Sequence, residues 1–293
     1  MVRVLTAGHV NWDVTLRVDR LPEADGEASI RSQHQSGGGS AANVAAALTG
    51  LSVETDLIGS VGDDDNGVLA RRELEAAGVS TDGVRVVTGA ETAVKYLLVG
   101  DDGAVSVLGN DGVNEAVGPE DIDPDRVQSV EHVHLTSQRP ETAARIAELA
   151  SEATVTVSFD PGRKVRDRDY SRTLERSDII FANDRERATL LEDEYIGSGF
   201  EDRIVVIKSG SDGARVHTPT ASYAHPGFEV DPVDTAGAGD AFAAGFIAVT
   251  LESDDIERAL EYANACGALT AASQGARSAP TATNVGAFLR AQY

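Results

Sequence analysis

Short apolar runs alternate along nearly the whole chain with longer stretches in which apolar side chains recur every three or four positions. The first pattern predicts strands buried on both faces, and the second predicts helices. Their alternation predicts an α/β fold: a mostly parallel sheet flanked by helices, in one domain spanning residues 1–293. Residues 2–7, 55–60, 132–136, 154–159, 178–182 and 204–207 read as strands. A small-residue helix over 40–48 is closed by Gly50, and an amphipathic helix over 66–77 ends at Gly78. Further helices are expected near 140–151, 184–191, 239–250, 254–272 and 284–291.

Two stretches, 14–36 and 93–108, interrupt the alternation with short extended segments and turn signals. The second has the form of a hairpin, 94–99 turning through Gly100-Asp101-Asp102-Gly103 into 104–108. These insertions are expected either to form a small separate β-sheet over the edge of the site or to extend the main sheet. Three predicted parallel strands close on a polar residue after an apolar run: Asp160, Asn183 and Lys208. Ligands of open α/β sheets bind outside the carboxyl ends of the strands, so these three ends should converge on one crevice.

Composition narrows the partners. Asp and Glu total 48 against 25 Lys and Arg, a formal net charge of −23, and lysine occurs only as Lys95, Lys164 and Lys208. Such a field repels nucleic acid and anionic membranes, excluding both as partners. At about 1 M salt the screening length falls to roughly 3 Å, so an acidic, lysine-poor surface predicts a protein adapted to high salt. No run of about 18 apolar residues and no leader-like amino terminus is read, which points to a cytoplasmic protein. The single cysteine, Cys266, allows neither an intrachain disulfide nor a cysteine zinc site, and reads as a small buried apolar group. His132 and His134 share a strand face without further ligands nearby, and no P-loop sequence is present.

Two glycine-rich segments carry candidate chemistry. Asp234-Thr235-Ala236-Gly237-Ala238-Gly239-Asp240 opens an apolar, hence buried, helix. Small residues let a ligand approach the backbone N–H groups at a helix start, where the dipole favours an anion. Asp240 then stands in the first turn, placed to take a proton from an attacking hydroxyl while those N–H groups hold a phosphoryl group; the bland reading is that it complements the dipole. Gly37-Gly38-Gly39-Ser40-Ala41-Ala42-Asn43 precedes another helix, with Asn43 able to donate and accept. Asn11 and Asp13, two apart in an extended segment, point to one side and Trp12 to the other, an arrangement suited to gripping a polyol.

These segments, in this order and separation, resemble the two signatures of the ribokinase (PfkB) family of carbohydrate and nucleoside kinases. The resemblance extends over almost the whole chain through Gly8-His9-Val10-Asn11-Trp12-Asp13, Asp160-Pro161-Gly162-Arg163, Asn183-Asp184-Arg185-Glu186 and Lys208-Ser209-Gly210. It implies a Rossmann-like domain with a small β-sheet lid. It also implies that Asp240 is the catalytic base and that Gly237, Ala238 and Gly239 form the anion hole. By the same resemblance Asn11, Asp13, Gly38, Gly39 and Asn43 line the acceptor pocket. Asn183 and Glu186 match the family's Asn-x-x-Glu motif, which organises Mg²⁺ and phosphates through water; the same pair is also a helix-capping pattern. Lys208, Ser209, Gly210 and Gly213 match the loop beside the nucleotide. The 264–279 region, with Asn264, Gly275 and Ala276, matches the purine pocket and part of a monovalent-cation (K⁺) site completed by Asp234 and Ala236.

The chain also departs from ribokinase proper, which carries a lysine where Gly39 stands and a substrate-binding glutamate where Gln138 stands. Arg163 resembles the arginine that some members direct at an anionic group of the substrate, and Lys95 in the lid offers a second cation. The expectation is a Mg²⁺-dependent kinase moving the γ-phosphoryl group of ATP to a hydroxyl of a sugar, sugar derivative or nucleoside, with a homodimer formed through the lid. Alternatives are an ADP-dependent or sugar-phosphate kinase, such as one acting on ribose 1-phosphate, and a catalytically idle sugar or nucleoside sensor.

Overall fold

In the computed structural model, residues 3–102, 104–192, 202–278 and 280–292 are described, with side chains through 190 in the second segment. Val2, Gly103 and Ala279, which the sequence places in a strand, a turn and the nucleotide-side loop, lie outside them. The strands are β1 (Val4–Ala7), β2 (Asn11–Val18), β3 (Ile30–Gly38), β4 (Thr55–Gly62), β5 (Val84–Val87), β6 (Ala93–Gly100), β7 (Val105–Gly109), β8 (His132–Thr136), β9 (Thr156–Asp160), β10 (Ile179–Asn183), β11 (Ile204–Lys208), β12 (Ala214–His217) and β13 (Ser222–His225). The helices are α1 (Ser40–Gly50), α2 (Asp65–Ala76), α3 (Pro124–Gln128), α4 (Pro140–Glu152), α5 (Ser171–Leu174), α6 (Asp184–Glu192), α7 (Ala238–Thr250), α8 (Ile256–Ala271) and α9 (Ala282–Arg290).

Among the described residues a nine-stranded sheet runs β13-β12-β11-β10-β9-β8-β1-β4-β5. It is parallel from β11 to β5, and β12 and β13 add antiparallel at one edge. The short strands β5 and β13 at the two edges, and β12 beside β13, are not predicted by the sequence pattern, because four residues hold at most two alternations of buried and exposed positions. Gly50 also differs from expectation. It lies inside the last turn of α1, and Ser52, at φ 68°, takes the left-handed position beyond the helix end.

Strand alternation decides what each face buries. In β10, Ile179 and Phe181 pack with α7 and α8, whereas Ile180 and Ala182 pack with Val133, Leu135, Val157, Phe159 and α4 on the opposite face. The period of two therefore sends Asp160, Asn183 and Lys208, at the carboxyl ends of β9, β10 and β11, to the face that α7 covers. Strand register supports this convergence, since Thr136 pairs with Asp160 and Asn183 with Lys208. Helices α7 and α8 cross closely because Gly245 leaves only 2.8 Å between a would-be Cβ and Cys266 Sγ. Cys266 is fully buried there, and burial pushes its thiol far above the ordinary range. His132 and His134 are buried as well, sharing Ser158 Oγ at 2.7 and 2.8 Å. Burial holds them neutral, at about 3 and about 4.

The interrupting segments form a separate four-stranded sheet, β3-β2-β6-β7, in which β2 and β6 are parallel and the outer pairs antiparallel. It starts at Asn11, three residues earlier than the sequence pattern indicates. Its inner face is anchored by Trp12, Val14 and Val94, which join α1 and α2 in a third core cluster. No described helix is long and apolar enough to cross a membrane.

Candidate active site

The start of α7 stands over the convergent strand ends. Gly237 caps it in a left-handed conformation (φ 77°), and a side chain there would overlap the Ala276 carbonyl. Asp234 shapes the approach, its Oδ1 accepting from the Ala236 N–H at 2.9 Å and its Oδ2 from the Gly275 N–H at 3.2 Å. The first bond of the helix, Ala241 N–H to Gly237 O at 2.9 Å, leaves the Gly239 and Asp240 N–H groups without a carbonyl one turn back. Ala238 N–H is turned to Thr235 O at 3.3 Å, so of the three residues expected to form the anion hole it presents its donor least freely.

Asp240 stands in this first turn, and its Oδ2 accepts from Asn43 Nδ2 at 2.8 Å. Burial pushes its carboxyl up to about 6, against the pull of the Asn43 hydrogen bond and the Lys208 charge. Below it, Lys208 Nζ donates to Asp160 Oδ2 at 2.5 Å. Burial alone would lower the lysine, but Asp160, Asp240 and Glu186 together raise it, so it stays charged. Asp160, flagged by its strand-end position but given no site role by the sequence, is thus a member of this charge cluster.

Asn183 and Glu186 form the reciprocal cap that their spacing allows. Glu186 Oε2 accepts from the Asn183 N–H, and Asn183 Oδ1 from the Glu186 N–H, both at 2.9 Å. Burial and the neighbouring Asp160 raise the Glu186 carboxyl. Beside these groups opens a cleft of about 810 Å³, lined among others by Lys208, Gly210, Gly213, Gly239, Phe242 and Asn264. Asn264 reaches it from α8 while Nδ2 donates to Leu260 O at 2.7 Å. Ser209, expected beside it, lines a neighbouring cavity of about 480 Å³ with Asp184 and Arg215.

Through Asn43, Asp240 is joined to a second cluster of polar groups, around the 37–39 glycine run. A Cβ at Gly38 would overlap the Asp13 carboxylate, and one at Gly39 the His9 carbonyl, so this run is where backbone and acid meet closely. Three buried polar atoms around it have no partner: Asn11 Nδ2, Asp13 Oδ1 and Asn43 Oδ1. One donor and two acceptors left open in one place is the complement of a polyhydroxylated ligand, since unpaired buried polar groups are costly. Burial raises the Asp13 carboxyl, opposed by Lys95 and Arg277. Lys95 lies opposite Asp13 on the neighbouring strand, and its charge is also felt at Asp240. Gln138 is buried with Nε2 donating to Ala7 O at 3.4 Å, while Arg163 is exposed on the turn after β9.

Four further residues that the sequence does not single out border this cluster. Asn114 Nδ2 donates to Asn11 Oδ1 at 2.6 Å, and Glu115 joins His9 (3.3 Å) to Arg168 (2.6 Å). The His9 hydrogen bond and Arg168 hold Glu115 down to about 2. Arg277 lies behind the glycine run. All four belong to loops without periodicity, and only their long-range partners reveal them.

The family model of the pfkB carbohydrate kinases matches residues 1–283. The chain is 74% identical over 295 residues to the ATP-dependent ribose-1-phosphate kinase of Halopiger xanaduensis, with all of both chains covered. It is 28% identical to the ribokinase of Bacillus subtilis, over 97% of this chain and 98% of that one. Its structure matches that of Arabidopsis thaliana ribokinase complexed with ribose and ATP at a TM-score of 0.87 and 26% identity, covering 98% of each chain. The charged strand ends, the glycine-lined helix start and these likenesses agree: the chain belongs to the pfkB family of carbohydrate kinases, and is a phosphotransferase of the ribokinase-like α/β fold.

Proposed function

We propose that the protein is an ATP-dependent kinase that phosphorylates a hydroxyl of ribose 1-phosphate, yielding a ribose bisphosphate. The observation that carries the phosphoryl-transfer reading is the placement of Asp240 between two sets of open polar groups. On one side are the open N–H groups of α7 and the large cleft, and on the other the unpaired atoms of Asn11, Asp13 and Asn43. The whole-length likeness to the Halopiger xanaduensis enzyme supports this acceptor.

In this reading Asp13, Asn11 and Asn43 grip the sugar hydroxyls against Gly38 and Gly39, with Gln138 as a further contact. Asp240, Oδ2 fixed by Asn43, takes the proton from the attacking hydroxyl through Oδ1. Gly237, Ala238 and Gly239 frame the anion hole, and the dipole of α7 stabilises charge spreading over the transferred group. Lys208, Ser209, Gly210, Gly213, Asn183 and Asn264 bind the nucleotide. Lys95 and Arg163 meet the phosphate that the acceptor already carries.

Mg²⁺ fits this donor set. The Asp160 and Glu186 carboxylates lie near each other and near Lys208, which lines the cleft, while among the described residues no cluster of three or more His, Cys, Asp or Glu could cage a metal by itself. Asn183 and Glu186 would therefore hold the ion through water, and when bound it neutralises phosphate charge. Asp234 and Ala236 would contribute to a K⁺ site that stiffens the approach to α7. The four-stranded sheet is the lid, and its exposed Ile30, Val105, Val107 and Leu108 suit it for a homodimer contact.

A coupled assay in molar KCl, with ATP or ADP as donor and ribose 1-phosphate, ribose, fructose and nucleosides as acceptors, tests the proposal. The expected result is the highest kcat/KM for ATP with ribose 1-phosphate. Preference for an unphosphorylated acceptor or for ADP removes that assignment, and no turnover with any pair favours a sensor.

A further inference from the structure

We infer that Arg277 is a positioning residue that holds the acceptor-binding glycine run in register with the phosphoryl-binding start of α7. This rests on the reading of the Asp13 pocket as the acceptor's. Three consecutive residues, Gly275-Ala276-Arg277, touch both halves of the site. Gly275 N–H donates to Asp234 Oδ2, and the backbone of Ala276 fills the space a side chain at Gly237 would need.

Arg277 then crosses to the other half. Its Nη2 donates to Gly38 O at 3.0 Å and its Nη1 to Ala70 O at 3.3 Å, with Glu73 Oε2 at 3.4 Å. The same Glu73 oxygen accepts from the Gly37 N–H at 2.7 Å. The guanidinium occupies the place of a Gly37 side chain, as the Asp13 carboxylate occupies that of a Gly38 side chain.

The glycine run is thereby clamped between a cation and an acid. Its position relative to Gly237 is set through three residues of backbone rather than through the distant sheet. Arg277 is only 9% exposed and its charge also acts on Asp13. A planar fork with several donors can bridge two carbonyls and a carboxylate at once, which an ammonium cannot. Phosphoryl transfer depends on alignment of the attacking oxygen, and a displacement of about 1 Å can cost about 10²-fold in rate.

The test compares R277M, R277K and E73A with wild type in molar KCl. It measures KM for ATP, KM and kcat for the acceptor, and ADP formed per acceptor phosphorylated. For R277M the acceptor KM should rise, transfer should fall about 10²-fold, ADP formed per acceptor phosphorylated should exceed one, and the ATP KM should stay within about twofold. R277K should fall between R277M and wild type, and E73A should shift in the same sense as R277M.

Wild-type acceptor KM and ADP ratio in folded R277M, or in E73A should R277M not fold, would overturn the inference. A rise in ATP KM as large as the rise for the acceptor would also overturn it, by making the role purely structural. Wild type is scored first: failure to phosphorylate ribose 1-phosphate removes the proposed acceptor, and the variant ratios are then read with whichever panel compound wild type phosphorylates best.

Discussion

Asp240→Asn separates the catalytic and structural consequences of one half-buried charge. Desolvation raises this carboxyl from 3.8 to about 6, a difference of about 3 kcal/mol against ionisation in the folded state. Because the folded value lies above the unfolded one, the penalty is absent below about pH 4, grows between there and pH 6, and is complete above it. Asparagine keeps the shape and can still accept from Asn43 Nδ2, but carries no charge. The variant should therefore be more stable than wild type at pH 8, by up to about 3 kcal/mol, with the advantage shrinking towards pH 4. It should also lose about 10² to 10⁴-fold in turnover, the scale of a missing general base.

In wild type, kcat/KM should rise with pH through about 6 and level off, since only the ionised base accepts the proton. The donor's terminal phosphate can titrate in the same region, so Lys208→Met serves as the control. Lys208 lowers the Asp240 value and Asp160 raises it, so removing the lysine charge should move the limb to higher pH. A limb arising from the nucleotide would stay in place. Thermal melts across pH and rate profiles in molar KCl supply both readings. An Asp240→Asn protein of unchanged stability at pH 8, or of near-normal turnover, would refute this account of the residue.

Other substitutions act through space rather than charge. Gly38→Ala brings a methyl group onto the Asp13 carboxylate and should raise the acceptor KM at least about 10-fold with little change for ATP, as steady-state kinetics will show. Gly237→Ala combines a left-handed φ of 77° with overlap on the Ala276 carbonyl. It should cost about 1–3 kcal/mol in denaturant titrations and lower turnover as well. Self-repulsion from the net charge of −23 should make melting temperature climb steeply from dilute buffer to molar KCl; a flat response would remove the salt-adaptation reading.

The central strands, the long helices and the two glycine-rich segments were legible because each writes a local signal: an apolar run, a 3.6-residue period, or small residues at a helix start. Asp160, Asn183 and Lys208 could be assigned to one crevice because parallel strands end on one edge. The assembly around Asp13 was much less legible. Asn114, Glu115, Arg168 and Arg277 lie in loops, and their bonds reach partners up to 239 residues away, as from Arg277 to Gly38. The short strands β5, β12 and β13 escaped for a related reason. They are held by pairing with neighbours, which four residues of sequence do not encode. The end of α1 is not marked by Gly50, because Ser52 itself takes the left-handed conformation that glycine usually supplies.

The most direct test is a crystal structure with ADP, Mg²⁺, the acceptor and a metal-fluoride mimic of the transferred phosphoryl group. The mimic should lie within hydrogen-bond distance of the Gly239 and Asp240 N–H groups, and the acceptor oxygen about 3 Å from the Asp240 carboxylate. A mimic bound away from the start of α7, or an acceptor whose hydroxyl faces a different base, would contradict it.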